Sequence, residues 1–249
     1  RPMKRVVEPL TRMGATITAR SGCRLPLALT GTYELLPISY TLPVASAQVK
    51  SAILLAGLGA PGETSIVEPT PSRDHSERML RHFGAEVRVE DGASGGRRII
   101  LSGQPELAAR ALSVPADISS AAFPLAASLI VPGSDVLLKN VGINPLRSGL
   151  IDCVREMGGA VELRDENEVS GEPVADIAVR ASNLRGIQVP PARAPSMIDE
   201  YPILAVLAAC AEGPSRLRGL GELRHKESDR FAAIVAGLRA VGVAVEAVD

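Results

Sequence analysis

The chain has 249 residues, 46% of them hydrophobic and only 2% aromatic. That is material for one large core or two smaller ones, built from Ala, Val, Leu and Ile. A net charge of −1, with acidic and basic residues mixed along the chain, argues against a nucleic-acid-binding or membrane-surface protein.

The first predicted helix covers residues 1–13 and ends at Met13-Gly14, before a strand that begins Ala15-Thr16-Ile17. A nearly all-apolar helix follows over 46–58, then a Pro61-Gly62 turn and a strand over 64–67. Arg73-Asp74-His75-Ser76-Glu77 opens a third helix, which ends at Phe83-Gly84 ahead of a strand at Val87. After a strand-and-turn region over 97–111, Ser113-Val114-Pro115-Ala116-Asp117 marks a domain boundary, since Pro115 biases Val114 toward extended backbone. The division is into 1–113 and 114–249. Beyond it the same patterns recur. Apolar helices are predicted over 118–130 and 198–211, amphipathic ones over 145–157 and 229–241, and strands after Gly133, Gly158, Gly213 and Gly242.

Gly14, Gly84, Gly158 and Gly242 each stand where a helix gives way to a strand, a C′ position that calls for positive φ. A recurring unit of roughly 70–80 residues is longer than the common solenoid periods, so it reads as a repeated α/β subdomain. Helices that are apolar on all sides must be surrounded by other elements. The expected architecture therefore places helices in the middle of each domain and sheets outside.

No apolar run reaches about 18 residues, and no signal peptide opens the chain. Cys23, Cys153 and Cys210 are odd in number and far apart, which reads as reduced packing thiols in a cytoplasmic protein. His75, His82 and His225 lack metal-ligand spacing, so no metal is expected. The chain has no initiator Met, starts inside a predicted helix and stops inside a predicted strand, so it reads as an excerpt incomplete at both ends.

Polar side chains collect at the helix starts: Ser46-Ala47-Gln48 with Lys50, Asp117 with Ser119-Ser120, Asn144-Pro145-Leu146-Arg147, and Asp199-Glu200 ahead of Pro202. The densest cluster is Arg224-His225-Lys226-Glu227-Ser228-Asp229-Arg230. Carrying the apolar face of Phe231, Ile234, Val235 and Leu238 backward puts Glu227 and Arg230 on or near the buried side of that helix. Two readings stand for these starts. They are N-caps, each worth about 1 kcal/mol, or they converge on an anion, with free N–H groups and dipoles joined by charge-assisted bonds from Lys and Arg. The chain has no G-x-x-x-x-G-K-[ST] loop and no well-placed G-x-G-x-x-G, so nucleotide loops are not the means.

Ser46-Ala47-Gln48-Val49-Lys50, Arg73-Asp74-His75-Ser76-Glu77, Ile198-Asp199-Glu200-Tyr201-Pro202 and Arg224 through Arg230 resemble 5-enolpyruvylshikimate-3-phosphate synthases. The likeness is to the bacterial class that includes glyphosate-tolerant enzymes, and it runs along essentially the whole chain with the motifs in order. It implies an α/β fold of tandem βαβαββ-type subdomains with buried helices and outer sheets. Residues 1–113 would be the later part of the first domain and 114–249 the earlier part of the second. It also implies transfer of the enolpyruvyl group of phosphoenolpyruvate to the 5-hydroxyl of shikimate 3-phosphate, with release of phosphate and without a cofactor.

By the same resemblance, Ser46, Ala47, Gln48, Arg73 and Lys226 would contact shikimate 3-phosphate, with Gln48 also near phosphoenolpyruvate. Arg1 and Arg230 would bind phosphoenolpyruvate. Asp199 would accept the 5-hydroxyl proton, and Glu227 would assist protonation of the methylene carbon. Leu146 stands where relatives commonly have Thr. The family's upstream Lys-Ser pair, its next Arg, its glycine loop and a later Arg fall outside these residues, so the 249-residue stretch alone is expected to be inactive. The expected partners are small anionic substrates, not nucleic acid or membrane, acting on a monomer. The rivals are the sister transferase acting on UDP-N-acetylglucosamine, whose reactive Cys does not match Cys23, and a catalytically silent α/β repeat.

Overall fold

A computed structural model describes residues 3–92 and 95–248. The chain divides between Leu112 and Ser113 into two compact units. The first contains α1 (Lys4–Arg12), β1 (Thr16–Arg20), β2 (Arg24–Thr30), β3 (Ser39–Thr41), α2 (Ala47–Gly57), β4 (Glu63–Glu68), α3 (His75–His82), β5 (Val87–Asp91) and β6 (Arg97–Ser102). From β3 to β6 this is one βαβαββ unit. Its four-stranded sheet runs β3-β4-β6-β5, with β3 and β4 parallel and the other pairs antiparallel. The hairpin β1-β2 stands as a separate antiparallel pair after α1.

The second unit contains α4 (Ile118–Ile130), β7 (Asp135–Gly142), α5 (Gly149–Glu156), β8 (Ala160–Val169), β9 (Glu172–Arg180), β10 (Gln188–Val189), α6 (Tyr201–Cys210), β11 (Arg216–Leu217) and α7 (Arg230–Ala240). Its sheet runs β7-β9-β8, the order of the first sheet's last three strands, and a parallel bridge from Ala116 to Val141 takes the place of the leading strand. A third copy begins with the parallel pair β10-β11 around α6.

Apolar helices and sheets form these cores for simple reasons. On α2, Val49, Ile53 and Leu54 share one face and pack on Ile66, Ile99 and Leu101 of the sheet. On α4, Leu125 and Leu129 meet Leu150, Val154, Ile177 and Val179. The four glycines at the helix-to-strand turns have φ between +84 and +105, where a Cβ is strained.

Several expectations need correction. The apolar helices are not enclosed on every side: Phe123 of α4 is 64% exposed, and Leu55 of α2 and Val206 of α6 are also open. Residues 243–248 form no strand, because β1, β5 and β8 each pair with the strand that follows, and 243–248 have no such partner among the described residues. Only Cys153 is a packing thiol, its Sγ 3.5 Å from Met197 Sδ, while Cys210 is exposed. No helix among the described residues is long and apolar enough to cross a membrane.

The first unit also buries charge. Lys50 of α2 and Glu68 of β4 are each 1% exposed, and Glu77 in the first turn of α3 is 2% exposed. The Lys50 Nζ lies 3.1 Å from Glu68 Oε2 and 2.7 Å from Glu77 Oε1, and it donates to the Ser72 carbonyl at 3.2 Å. Ser72 Oγ donates to the other oxygen of Glu68. One ammonium thus serves two carboxylates beside a polar cleft of about 270 Å³, which Arg81, Asp91 and Arg97 also line. Glu77 Oε2 has no hydrogen-bond partner among the described residues. Desolvation raises the Glu77 pKa; Lys50 opposes that without cancelling it, and Glu68 adds to it.

Glycine placement gives a first test. Gly237 lies inside α7 with open space around its missing Cβ, whereas a Cβ on Gly186 would lie 2.2 Å from the Pro214 carbonyl oxygen. Gly237→Ala should stabilise by about 0.8–1 kcal/mol, and Gly186→Ala should destabilise by about 1–3 kcal/mol; denaturant unfolding of the two variants reads both signs.

Glu77 gives a second test. Because its folded pKa is raised, its contribution to stability is full below the ordinary value of 4.5 and is lost as pH rises through the folded value. Glu77→Gln leaves Lys50 paired one-to-one with Glu68. It should exceed the parent in stability near neutral pH by about 1 kcal/mol, and the advantage should shrink on acidification through that raised pKa. Thermal melts across pH check this, and an advantage that grows in acid contradicts it.

Candidate active site

In the first unit the site is built from two helix starts. Ser46 has extended backbone and caps α2, its Oγ accepting from the Val49 N–H at 3.4 Å. Ala47 follows at the first helical position and Gln48 is exposed beside it. Arg73 lies just ahead of α3, partly buried. Two sets of contacts bring these starts together: Lys50 reaches the Ser72 carbonyl next to Arg73, and the hydroxyls of Ser51 on α2 and Ser76 on α3 lie 2.6 Å apart.

In the second unit the fold gathers Asp199, Lys226, Glu227 and Arg230. Arg230 Nη1 is 3.1 Å from Asp199 Oδ1, and Lys226 Nζ is 3.5 Å from the same oxygen. Arg230 Nη2 pairs with Glu227 at 2.8 Å, and Lys226 pairs with Glu222 at 2.9 Å. Packing of α7 against α6 sets this arrangement: Phe231 and Ile234 lie on the core, and the Arg224 guanidinium stacks 4.1 Å from the Phe231 ring. Two cations that share one carboxylate, all partly open to solvent, can exchange it for the oxygens of an anionic ligand.

A second layer supports it. Glu200 is 3% exposed and sits at the cap position of α6, yet it makes no cap hydrogen bond. It instead accepts from Ser119 Oγ at the start of α4. Arg147 donates to that Ser119 oxygen at 2.6 Å and lies 3.2 Å from Asp117 Oδ1. Asp117 caps α4 through the Ser120 N–H at 2.8 Å. Burial alone would raise the Asp117 pKa, but the bonds from Ser120 and the Arg147 charge outweigh it and leave the carboxyl below the usual range. Buried Tyr201 donates to the Arg218 carbonyl at 2.7 Å, and desolvation pushes its pKa up to about 12.

Of the residues singled out in the sequence, Ser46, Ala47, Gln48 and Arg73 lie at two helix starts of the first unit, and Asp199, Lys226, Glu227 and Arg230 cluster in the second. Glu227 is 68% exposed, not on the buried side, because Asp229 takes the N-cap of α7 through the Ala232 N–H at 2.9 Å. The helix therefore begins at Arg230, and a face extrapolated backward through the cap no longer holds. Arg1 lies outside the described residues. Glu68, Glu77 and the inward turn of Glu200 escaped the motif reading. The available signal was Lys50 itself, a cation three and four positions before Ile53 and Leu54 on an apolar helix, which demands a buried partner.

The family described as EPSP synthase (3-phosphoshikimate 1-carboxyvinyltransferase) matches residues 1–249. A 3-phosphoshikimate 1-carboxyvinyltransferase of Paramagnetospirillum magneticum is 61% identical over 246 residues, covering 99% of this chain and 55% of that protein. Its counterpart in Granulibacter bethesdensis is 62% identical over 247 residues, covering 99% and 54%. The chain thus spans about half the length of these curated relatives. Among solved structures, an EPSP synthase of Acinetobacter baumannii superposes with a TM-score of 0.85 at 48% identity, over 96% of this chain and 53% of that one. The enolpyruvyl transferase NikO of Streptomyces tendae shares the fold at a TM-score of 0.62 and 17% identity, over 86% and 50%. The motifs at the helix starts, the βαβαββ architecture and a match along every residue agree: the chain belongs to the EPSP synthase family.

Proposed function

We propose that the full-length protein transfers the enolpyruvyl group of phosphoenolpyruvate to the 5-hydroxyl of shikimate 3-phosphate and releases phosphate, a step in aromatic amino acid biosynthesis. The observation that carries this reading is the Asp199 carboxylate held at 3.1 and 3.5 Å by Arg230 and Lys226, within motifs characteristic of the family. Shikimate 3-phosphate takes Ser46, Ala47, Gln48, Arg73 and Lys226, and phosphoenolpyruvate takes Arg1 and Arg230. Residues 1–113 serve as the later part of one α/β domain and 114–249 as the earlier part of the next. The enzyme works as a cytoplasmic monomer on small anionic substrates.

The chemistry follows from these placements. When the substrate oxyanions draw Arg230 and Lys226 toward themselves, Asp199 is released to accept the 5-hydroxyl proton as that oxygen bonds to C2 of phosphoenolpyruvate. Glu227, the more exposed carboxyl of the cluster, assists proton delivery to the methylene carbon. The tetrahedral intermediate carries the carboxylate and phosphate charges of the donor, which planar guanidinium groups bind well. Loss of a methyl proton and of phosphate then restores the double bond as an enol ether.

Two experiments on the full-length protein test this. Phosphate release from shikimate 3-phosphate plus phosphoenolpyruvate should be rapid, and turnover of UDP-N-acetylglucosamine in its place would overturn the assignment. Asp199→Asn should lower kcat by about 10²–10⁴-fold, the usual worth of a positioned base, while either KM changes far less. A variant with the parent's kcat would remove Asp199 from the chemistry.

A further inference from the structure

We propose that Lys50 is a positioning residue for the phosphate-binding part of the site, locking the loop that carries Arg73 to the helix that carries Ser46, Ala47 and Gln48. The inference rests on the reading of those residues as shikimate 3-phosphate ligands. Lys50 itself is 1% exposed, and its side chain is taken up by Glu68, Glu77 and the Ser72 carbonyl.

The geometry is that of a three-way junction. An ammonium has three N–H donors, and Lys50 has three acceptors: Glu68 at the end of β4, the Ser72 carbonyl in the β4–α3 loop, and Glu77 in the first turn of α3. The stem of the same residue belongs to the first turn of α2, where its backbone N–H bonds the Ser46 carbonyl at 3.1 Å. One side chain therefore ties the start of α2 to both sides of Arg73. Ser72 adds a second tie through its hydroxyl to Glu68. The loop needs such anchoring, since Pro69 and Pro71 have no N–H to hold it by backbone bonds.

Plain core stability does not account for this arrangement. Two buried carboxylates share one ammonium there, and well-packed apolar residues often fill such a volume at no loss of stability. What apolar residues cannot do is fix the Ser72 carbonyl, and with it the backbone entering Arg73. A guanidinium meets a phosphate in a directional, bidentate geometry, so backbone play at residue 73 weakens that contact far more than it disturbs the fold.

The test uses the full-length protein with Lys50→Met and with a charge-neutral triple variant, Lys50→Met, Glu68→Gln, Glu77→Gln. Both should raise the KM for shikimate 3-phosphate by at least about tenfold, the loss of one charge-assisted anchor, and leave the KM for phosphoenolpyruvate within about twofold. Amide hydrogen exchange should quicken over residues 72–75 and not within α5. The triple variant should recover thermal stability without recovering substrate affinity or loop protection, and it carries the measurement if Lys50→Met does not fold. Recovery of all three properties would reduce Lys50 to charge balance and overturn the proposal, as would equal KM shifts for both substrates or unchanged exchange over 72–75. If the parent enzyme turns over neither substrate, the proposed activity falls, and the exchange measurement still decides whether Lys50 holds the loop.

Discussion

An ammonium group sealed in the interior between two carboxylates is the interaction on which the first unit depends. Each of the three charges is costly to bury alone, so the positions of α2, the end of β4 and the start of α3 are acceptable only together. Their mutual demand joins three separate elements into one arrangement of helix starts. Burial of Glu77, with a smaller push from the Glu68 charge, makes its carboxyl hold a proton more tightly than a solvated one although Lys50 opposes this.

The second unit solves the same problem with different residues. There Arg147 and Ser119 bridge toward Glu200, so the starts of α4 and α6 are joined by a guanidinium, a hydroxyl and a buried carboxylate. Asp199, the next residue toward the N-terminus, points instead at Lys226 and Arg230. Adjacent acidic residues thus differ: Glu200 faces inward and joins the start of α4 through Ser119, and Asp199 stays partly open among cations. Both units share the strand order of their antiparallel part but not a charge network.

Much of this was legible before any tertiary structure. Alternating apolar and amphipathic helices and glycine turns place all seven α-helices of the described residues and the strands that follow the turns, but not β2, β3, β9 or β10. The caps at Ser46, Asp117 and Asp229 follow from their side chains alone. Ser46 acts as the cap of α2, and its ligand role belongs to the proposed function. Errors arose where a local rule was carried past its range. A helical face extended backward through the Asp229 cap misplaces Glu227, the strand expected over 243–248 has no partner among the described residues, and apolar composition alone buries Phe123, which α4 leaves open.

Local order is determined by the sequence itself, because helix periodicity, capping and positive-φ turns depend on contacts among residues a few positions apart. Family membership is equally written there, in motifs that keep their residue types and order. Which charges meet was decided only by the tertiary structure. Lys50 finds Glu68 across 18 positions, Asp199 finds Arg230 across 31, and Ser119 finds Glu200 across 81. The physical reason is that a buried or half-buried charge takes whatever partner packing brings within about 3–4 Å, and packing brings together elements whose separation along the chain carries no information about their separation in space.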